Sequence, residues 1–409
     1  MEEVMFDTGN TGFMLVATSL VMLMTPGLAF FYGGLVGRKN VLTIMIQSFV
    51  SMGVTTIIWW AYGYSLCFSG GVGGIIGNLD KAFMIGVTLN TPSPFGSGNI
   101  PEFVFMAYQM MFAIITPALI TGAFSNRIRF GAYLMFLVAW LTLVYFPFVH
   151  MVWGNGLLAK LGVLDFAGGI VVHNIAGMAA LASVLYVGRR RIGDSIPHSI
   201  PLVALGAGLL WFGWYGFNAG SELKVDSVTG VAFLNTDIAA SFAGTVWMLL
   251  AWMNERKPKF LGLLTGAVAG LATITPCAGY VTPTSAVIIG ILAGIVCYFA
   301  INLKNRLKLD DALDVWGVHG VGGMLGIIML GILASTAVNP NGAEGLLRGN
   351  PTFFFTQLLS VIASSIYAFG FTYLMLRIIN FVTPVKTTEG EEELGLDQSL
   401  HGETAYEGM

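Results

Sequence analysis

Asp165-Phe-Ala-Gly-Gly-Ile-Val-Val-His173, followed four residues later by Gly177, is echoed by Asp311-Ala-Leu-Asp-Val-Trp-Gly-Val-His319, followed four residues later by Gly323. In both stretches a histidine comes eight residues after an aspartate, with a valine immediately before it. Each stretch opens a run of apolar residues long enough to cross a bilayer, which takes about 20 residues. A second echo, Ile115-Thr116-Pro117 against Ile274-Thr275-Pro276, lies the same number of apolar runs apart. A paired repeat of this kind makes the chain an internally duplicated bundle of spans.

The composition agrees. Hydrophobic residues make up 56% of the 409 and charged residues 10%, against about 25% charged in ordinary soluble domains, and mean hydropathy is +0.78. The fold class read from this is an all-α integral membrane protein of the cell membrane, multi-pass, with the lipid bilayer as its main solvent. Apolar runs near 11–36, 43–68, 103–125, 130–149, 166–188, 200–220, 236–254, 260–276, 284–303, 312–335 and 353–382 predict eleven transmembrane helices. With the N-terminus outside, the inner loops and tail carry fifteen of the 19 basic residues, from Arg38 and Lys39 to Arg377 and Lys386. The outer side keeps Lys81, Lys160, Lys224 and Arg348. Lys and Arg collect on the cytoplasmic side, so the N-terminus is expected outside and the C-terminus inside. Residues 1–383 then form one transmembrane domain, with pseudo-repeats at about 11–188 and 200–335 and a last helix at about 353–382. Residues 384–409 form a polar, acidic cytoplasmic tail.

An offset of five spans reverses the direction of travel, giving a five-plus-five inverted repeat plus a final helix, and sites in such repeats lie near the bilayer midplane. Eight residues at 1.5 Å rise would place each histidine about 12 Å deeper than its aspartate. Of five histidines, only His173 and His319 fall deep inside spans, where an ionisable residue is costly and points to function. Two facing imidazoles can share one N–H···N bond and offer their other nitrogens to a small polar molecule. Two imidazoles are too few for a metal site, and Asp165 and Asp311 would lie too far off to join them, so no metal or other cofactor is expected. Cys67, Cys277 and Cys297 have no CxxC spacing and read as packing residues. The net charge of −3 gives no argument for nucleic acid. No nucleophile and base pair or phosphate loop suggests an enzyme. The N-terminal Met-Glu-Glu-Val lacks a basic region, so the first run reads as a retained span.

Asp165 to His173, Gly216-Phe-Asn-Ala-Gly-Ser221, Asp310-Asp311 through Gly317-Val-His319-Gly-Val and the tail Gly395-Leu-Asp-Gln-Ser-Leu-His-Gly-Glu-Thr-Ala-Tyr406 together resemble the ammonium transporter family, with its methylammonium permeases and Rhesus glycoproteins. The resemblance runs from about residue 12 to the end. It implies a homotrimer in which each eleven-helix protomer holds its own pore for ammonium or ammonia, with methylammonium as a further substrate candidate. It implies that Phe112, Trp153 and Ser221, with Tyr108, form a binding site at the outer mouth, that Phe112 and Phe217 close the entrance, and that His173 and His319 line the pore. Asp165, Asp311, Trp214 and Thr275 would be structural or electrostatic supports. Asp165 is also readable as an N-cap.

The tail implies docking to inner loops, coupling between subunits, or a PII-type signalling protein at the cytoplasmic face. The rival to transport is an ammonium sensor with little flux; the absence of an appended signalling domain before Met409 favours transport. A Rhesus-like carrier of another neutral gas is opposed by the joint presence of Trp153 and Ser221. Asp314-Val-Trp316 and Tyr280-Val-Thr-Pro283 depart from the family's pattern and receive no role.

Overall fold

A computed structural model describes residues 5–192 and 196–406; residues 1–4, on which the reading of the N-terminus rests, and residues 407–409, including Met409, lie outside the described residues. The described chain is helical, without a strand longer than an isolated bridge. Ten segments are long and apolar enough to cross a membrane: α1 Thr8–Leu35, α2 Val41–Phe68, α3 Glu102–Ile120, α4 Phe130–Lys160, α5 Gly169–Val187, α6 Ile200–Glu222, α7 Ser227–Glu255, α9 Pro283–Arg306, α10 Trp316–Leu333 and α11 Pro351–Val382. Between α7 and α9 lies the shorter apolar helix α8, Phe260–Ile274. A short helix α12, Glu389–Leu394, follows in the tail. The chain is a multi-pass membrane protein.

Local chemistry sets most helix starts. Asp7, Ser199, Thr282 and Asn350 each accept a hydrogen bond from a backbone N–H of the first turn of α1, α6, α9 and α11, satisfying donors that a helix leaves free. Asp226 and Thr229 form a reciprocal capping box at the head of α7. That box moves the start of α7 to Ser227, well before the 236 expected from hydropathy. Residues 227–237 include Ser, Thr, Asn and Asp, which hide a helix from a search for apolar runs. Thr236 donates to Ala232 O and accepts from Asn218, and the Asn235 amide N–H groups donate to Ala278 O and Val281 O, so these donors find their acceptors inside the bundle.

Four of the spanning helices widen into π-turns, at Trp59–Gly63 in α2, Leu141–Tyr145 in α4, Gly169–Asn174 in α5 and Trp316–Gly320 in α10. Such turns occur often at functional sites, and the last two carry His173 and His319. The repeated glycines explain how these two turns meet. A Cβ on Gly177 would fall 2.1 Å from the Gly320 backbone, and one on Gly323 would fall 2.8 Å from Asn174 N and Gly169 O. Only hydrogen at these positions lets α5 and α10 cross so closely.

After α11 the chain returns over one end of the bundle. Arg129 Nη2 pairs with Glu391 at 2.9 Å. The Asp397 carboxylate accepts from Leu42 N–H at 3.0 Å, Thr43 N–H at 2.7 Å and the Thr43 hydroxyl at 2.8 Å. The tail thus supplies the cap of α2, where the preceding Asn40 makes no side-chain cap of its own.

Candidate functional site

Three cavities follow one another along the crossing of α5 and α10. A 240 Å³ pocket at one end is lined by Phe112, Trp153, Phe166, Gln109, Ser221 and Leu223, among others. Its floor is an aromatic stack: Phe112 lies 4.2 Å from Phe217 between ring centroids, inclined by 32°, and stands edge-on to Trp153 at 5.8 Å. Beyond Phe217 comes a cavity of about 10 Å³ lined by Phe217, Trp214, His173, His319 and apolar side chains, room for about one water-sized molecule. His319 then forms part of the wall of a third cavity of 360 Å³, which also holds Lys304, Asp310, Asp311, Asp314 and Arg190.

The supports of each group are local. Trp153 ends a helical stretch of α4 and donates its indole N–H to Asp165 O at 2.8 Å. Ser221 donates to Phe217 O at 2.9 Å, which commits its hydrogen and leaves its lone pairs available. Tyr108 is fully buried, donates toward Gly216 O and Phe217 O, and lies 3.2 Å from Ser221 Oγ. It is not among the residues lining the pocket, and supports the wall from behind.

His173 Nδ1 and His319 Nδ1 are 3.2 Å apart, with the rings 20° from parallel. One N–H shared between these atoms requires opposite tautomers. The buried Nε2 of His173 has no partner, although buried polar atoms are rarely left unpaired, and it belongs to a residue that lines the narrow cavity. Trp214 stacks 5.5 Å from His173 and is fixed by its N–H bond to Thr275 Oγ1 at 2.9 Å. Thr275 in turn donates to Leu271 O.

The Asp165 carboxylate accepts from Gly168, Gly169, Ile170 and Val171 N–H at 2.8, 2.6, 2.8 and 3.2 Å. Burial pushes its carboxyl up from the ordinary range, while these four donors pull it back. Helix starts only at Gly169, and as a π-turn, so just part of the interval between Asp165 and His173 climbs at helical rise. Asp311 accepts from Val315 and Trp316 N–H at 3.1 and 2.8 Å. Its carboxyl is pushed up to about 6, first by burial and then by Asp314, against the pull of Lys304. Arg190 grips Asp310 with Nη2 at 2.6 Å and Nε at 3.1 Å, and with Arg127 holds the Asp310 carboxyl below its ordinary range against burial.

A model of the Ammonium Transporter Family matches residues 12–406. The chain belongs to the ammonium transporter family. An ammonium transporter of Bacillus subtilis is 46% identical over 401 residues, covering 98% of each chain. Ammonium transporter Amt1 of Archaeoglobus fulgidus is 45% identical, covering 97% of this chain and 99% of its own. The crystal structure of Candida albicans Mep2 superposes with a TM-score of 0.88 at 37% identity, over 94% of this chain and 88% of that one. A structure titled Sensor Amt Protein gives 0.88 at 30% identity, over 96% and 98%. The family is one of transporters and not of enzymes.

For this ammonium transporter family member, most of the residues singled out by sequence lie in one file: Trp153, Phe112 and Ser221 in the first pocket, Phe217, Trp214, His173 and His319 around the narrow cavity, and Asp311 in the third. Tyr108, Thr275 and Asp165 hold these residues from outside the file. Gln109 and Lys304, both lining residues, were missed. Gln109 stands next to Tyr108 in an otherwise apolar run, a signal that could have found it. Lys304 looked like one more basic residue at a span end, and nothing local marked it as buried.

Proposed function

We propose that this chain is an ammonium transporter that binds ammonium in the Trp153 pocket, releases its proton at the Phe112–Phe217 stack and conducts it as ammonia past the paired histidines, the proton either staying on the entry side or crossing separately along the histidines. The observation that carries the reading is the narrow cavity between the Phe112–Phe217 stack and the His173–His319 pair, lined by apolar side chains, the two imidazoles, and Tyr32 and Trp214, whose O–H and N–H are engaged by Leu119 O and Thr275 Oγ1. An ammonium ion over the aromatic faces of the first pocket gains about 0.5–2 kcal/mol and can donate to the Ser221 oxygen. Passage through the stack strips its shell. In the cavity beyond, a permanent cation finds too few oxygens to replace its water, whereas ammonia can meet the unpartnered His173 Nε2. Potassium cannot become neutral and is refused.

In this reading Trp153 faces outside, eleven helices including α8 span the bilayer as a five-plus-five inverted repeat with a last helix, and residues 384–409 are the cytoplasmic tail. The protein works as a homotrimer of separate pores, takes methylammonium as well, and presents the tail to a PII-type partner. Reconstituted protein should respond to ammonium and not to potassium, with a saturable current on a solid-supported membrane where the proton crosses too, or a vesicle pH change without current where it stays behind, and His173→Ala and His319→Ala should abolish the response or make it unselective. Silence in both assays, with ammonium still bound, would overturn transport.

A second reading, an ammonium sensor with little flux, draws support from the likeness to the Sensor Amt Protein and from the tail's grip on the head of α2. Binding that altered tail protection in hydrogen exchange without flux would favour it.

A further inference from the structure

Among the described residues Lys304 is the one lysine lining the 360 Å³ cavity, which has His319 in its wall. Its side chain is only 6% exposed, although it belongs to a lysine near the end of a spanning helix, where such side chains normally reach for water. The Lys304 ammonium instead donates to Asp311 O at 2.8 Å and to Asp314 Oδ1 at 2.5 Å. Asp314 holds left-handed backbone, φ 60°, which aspartate tolerates better than most residues. Asp310 is engaged by Arg190 and Arg127, so Lys304 is the cation that answers Asp314, while the Asp311 carboxylate faces the backbone N–H groups of α10.

A lysine head group is a primary alkylammonium, the same donor as methylammonium and one substituent from ammonium itself. We infer that Lys304 fills, with its own tethered ammonium, a small-ammonium site made by the Asp311 carbonyl and the Asp314 carboxylate beside the path past His319. This rests on the transport reading for its purpose: an open carboxylate-and-carbonyl site at the exit would hold the ion that re-forms there. Lys304 keeps that site closed and the cavity close to balanced in charge, so that product leaves instead of being trapped.

The test is chemical rescue. Lys304→Ala empties the site, and its thermal midpoint is read in methylammonium chloride, tetramethylammonium chloride and sodium chloride at matched ionic strength, beside wild type. Binding to the folded state raises a midpoint by mass action, so methylammonium should raise the variant's midpoint by about 3 °C more than that of wild type. Tetramethylammonium has no N–H and should not. Adding Asp314→Asn to Lys304→Ala should remove the rescue. Equal shifts in variant and wild type, or rescue by tetramethylammonium, would overturn the inference. Lys304→Gln, which keeps a donor for Asp311 O without the charge, is read in the same way. Failure of both variants to fold even with methylammonium present throughout purification also counts against it. The readout needs no flux, so it fails independently of the transport proposal.

Discussion

Asp165 and Asp311 each stand eight residues ahead of one of the paired histidines, yet their carboxylates are served in different ways. Asp165 takes four backbone N–H donors and, among the described residues, no side-chain cation. Asp311 takes two, with Lys304 bound to its carbonyl and Asp314 beside it. One repeated motif therefore caps α5 and α10 alike while leaving a carboxyl held by backbone N–H groups near the Trp153 pocket and a carboxyl set among Lys304, Asp310, Asp314 and Arg190 in the cavity at the other end. Capping is the shared physical role, and the field is what differs.

The largest effect expected from this comparison is at Asp165. Asp165→Ala would leave up to four buried N–H groups without an acceptor, at about 1–3 kcal/mol for each that finds no water, and should abolish recovery of folded protein by size-exclusion chromatography. Asp311→Ala, with two donors to lose, should still yield folded protein with a lowered midpoint. Equal losses would mean that the donor count is not what separates the two ends.

Next comes the crossing itself. Gly177→Ala places a methyl group against the Gly320 backbone, and neither helix can yield without moving a histidine. Flux should fall at least about tenfold, since small displacements at a reacting site cost that much or more. Gly208→Ala in α6, where a Cβ meets nothing within 4 Å, should leave flux unchanged and shift stability by under about 1 kcal/mol, toward greater stability.

The smallest effect concerns pH. The folded-state carboxyl of Asp311, at about 6, lies above its unfolded value, so the folded protein holds a proton that the unfolded chain has released. Its contribution is fully present below about pH 4 and is lost as pH rises through about 6. The unfolding free energy of wild type relative to Asp311→Asn should therefore be higher at pH 4.5 than at pH 7, by an amount on the order of 1–2 kcal/mol. An opposite slope would show that Lys304, rather than burial, governs this carboxyl.

Much of this was legible in the chain. The apolar runs located ten spanning segments and the shorter α8, and the repeat singled out His173 and His319 before any coordinate was known. The start of α7 was not legible, because Asn235 and Thr236 look like loop residues until Asn235 is seen to donate to Ala278 and Val281 and Thr236 to accept from Asn218. Lys304 was counted among the loop cations because its partner Asp314 carries no sign of the contact. Tyr108 was read as a pocket residue, and its three oxygen neighbours hold it behind the pocket wall.

Sequence by itself determined that the chain is a helical membrane protein, which aspartates stand at the heads of α5 and α10, and which two histidines follow them at the same spacing. A bilayer accepts only long apolar helices with satisfied backbones, and that demand is written locally. Tertiary structure decided that α5 and α10 widen into π-turns, that His173 and His319 meet through Nδ1 across 146 residues, and that Lys304 turns inward to Asp314. Those outcomes depend on which groups the packing brings within hydrogen-bond reach. No run of neighbouring residues carries that information.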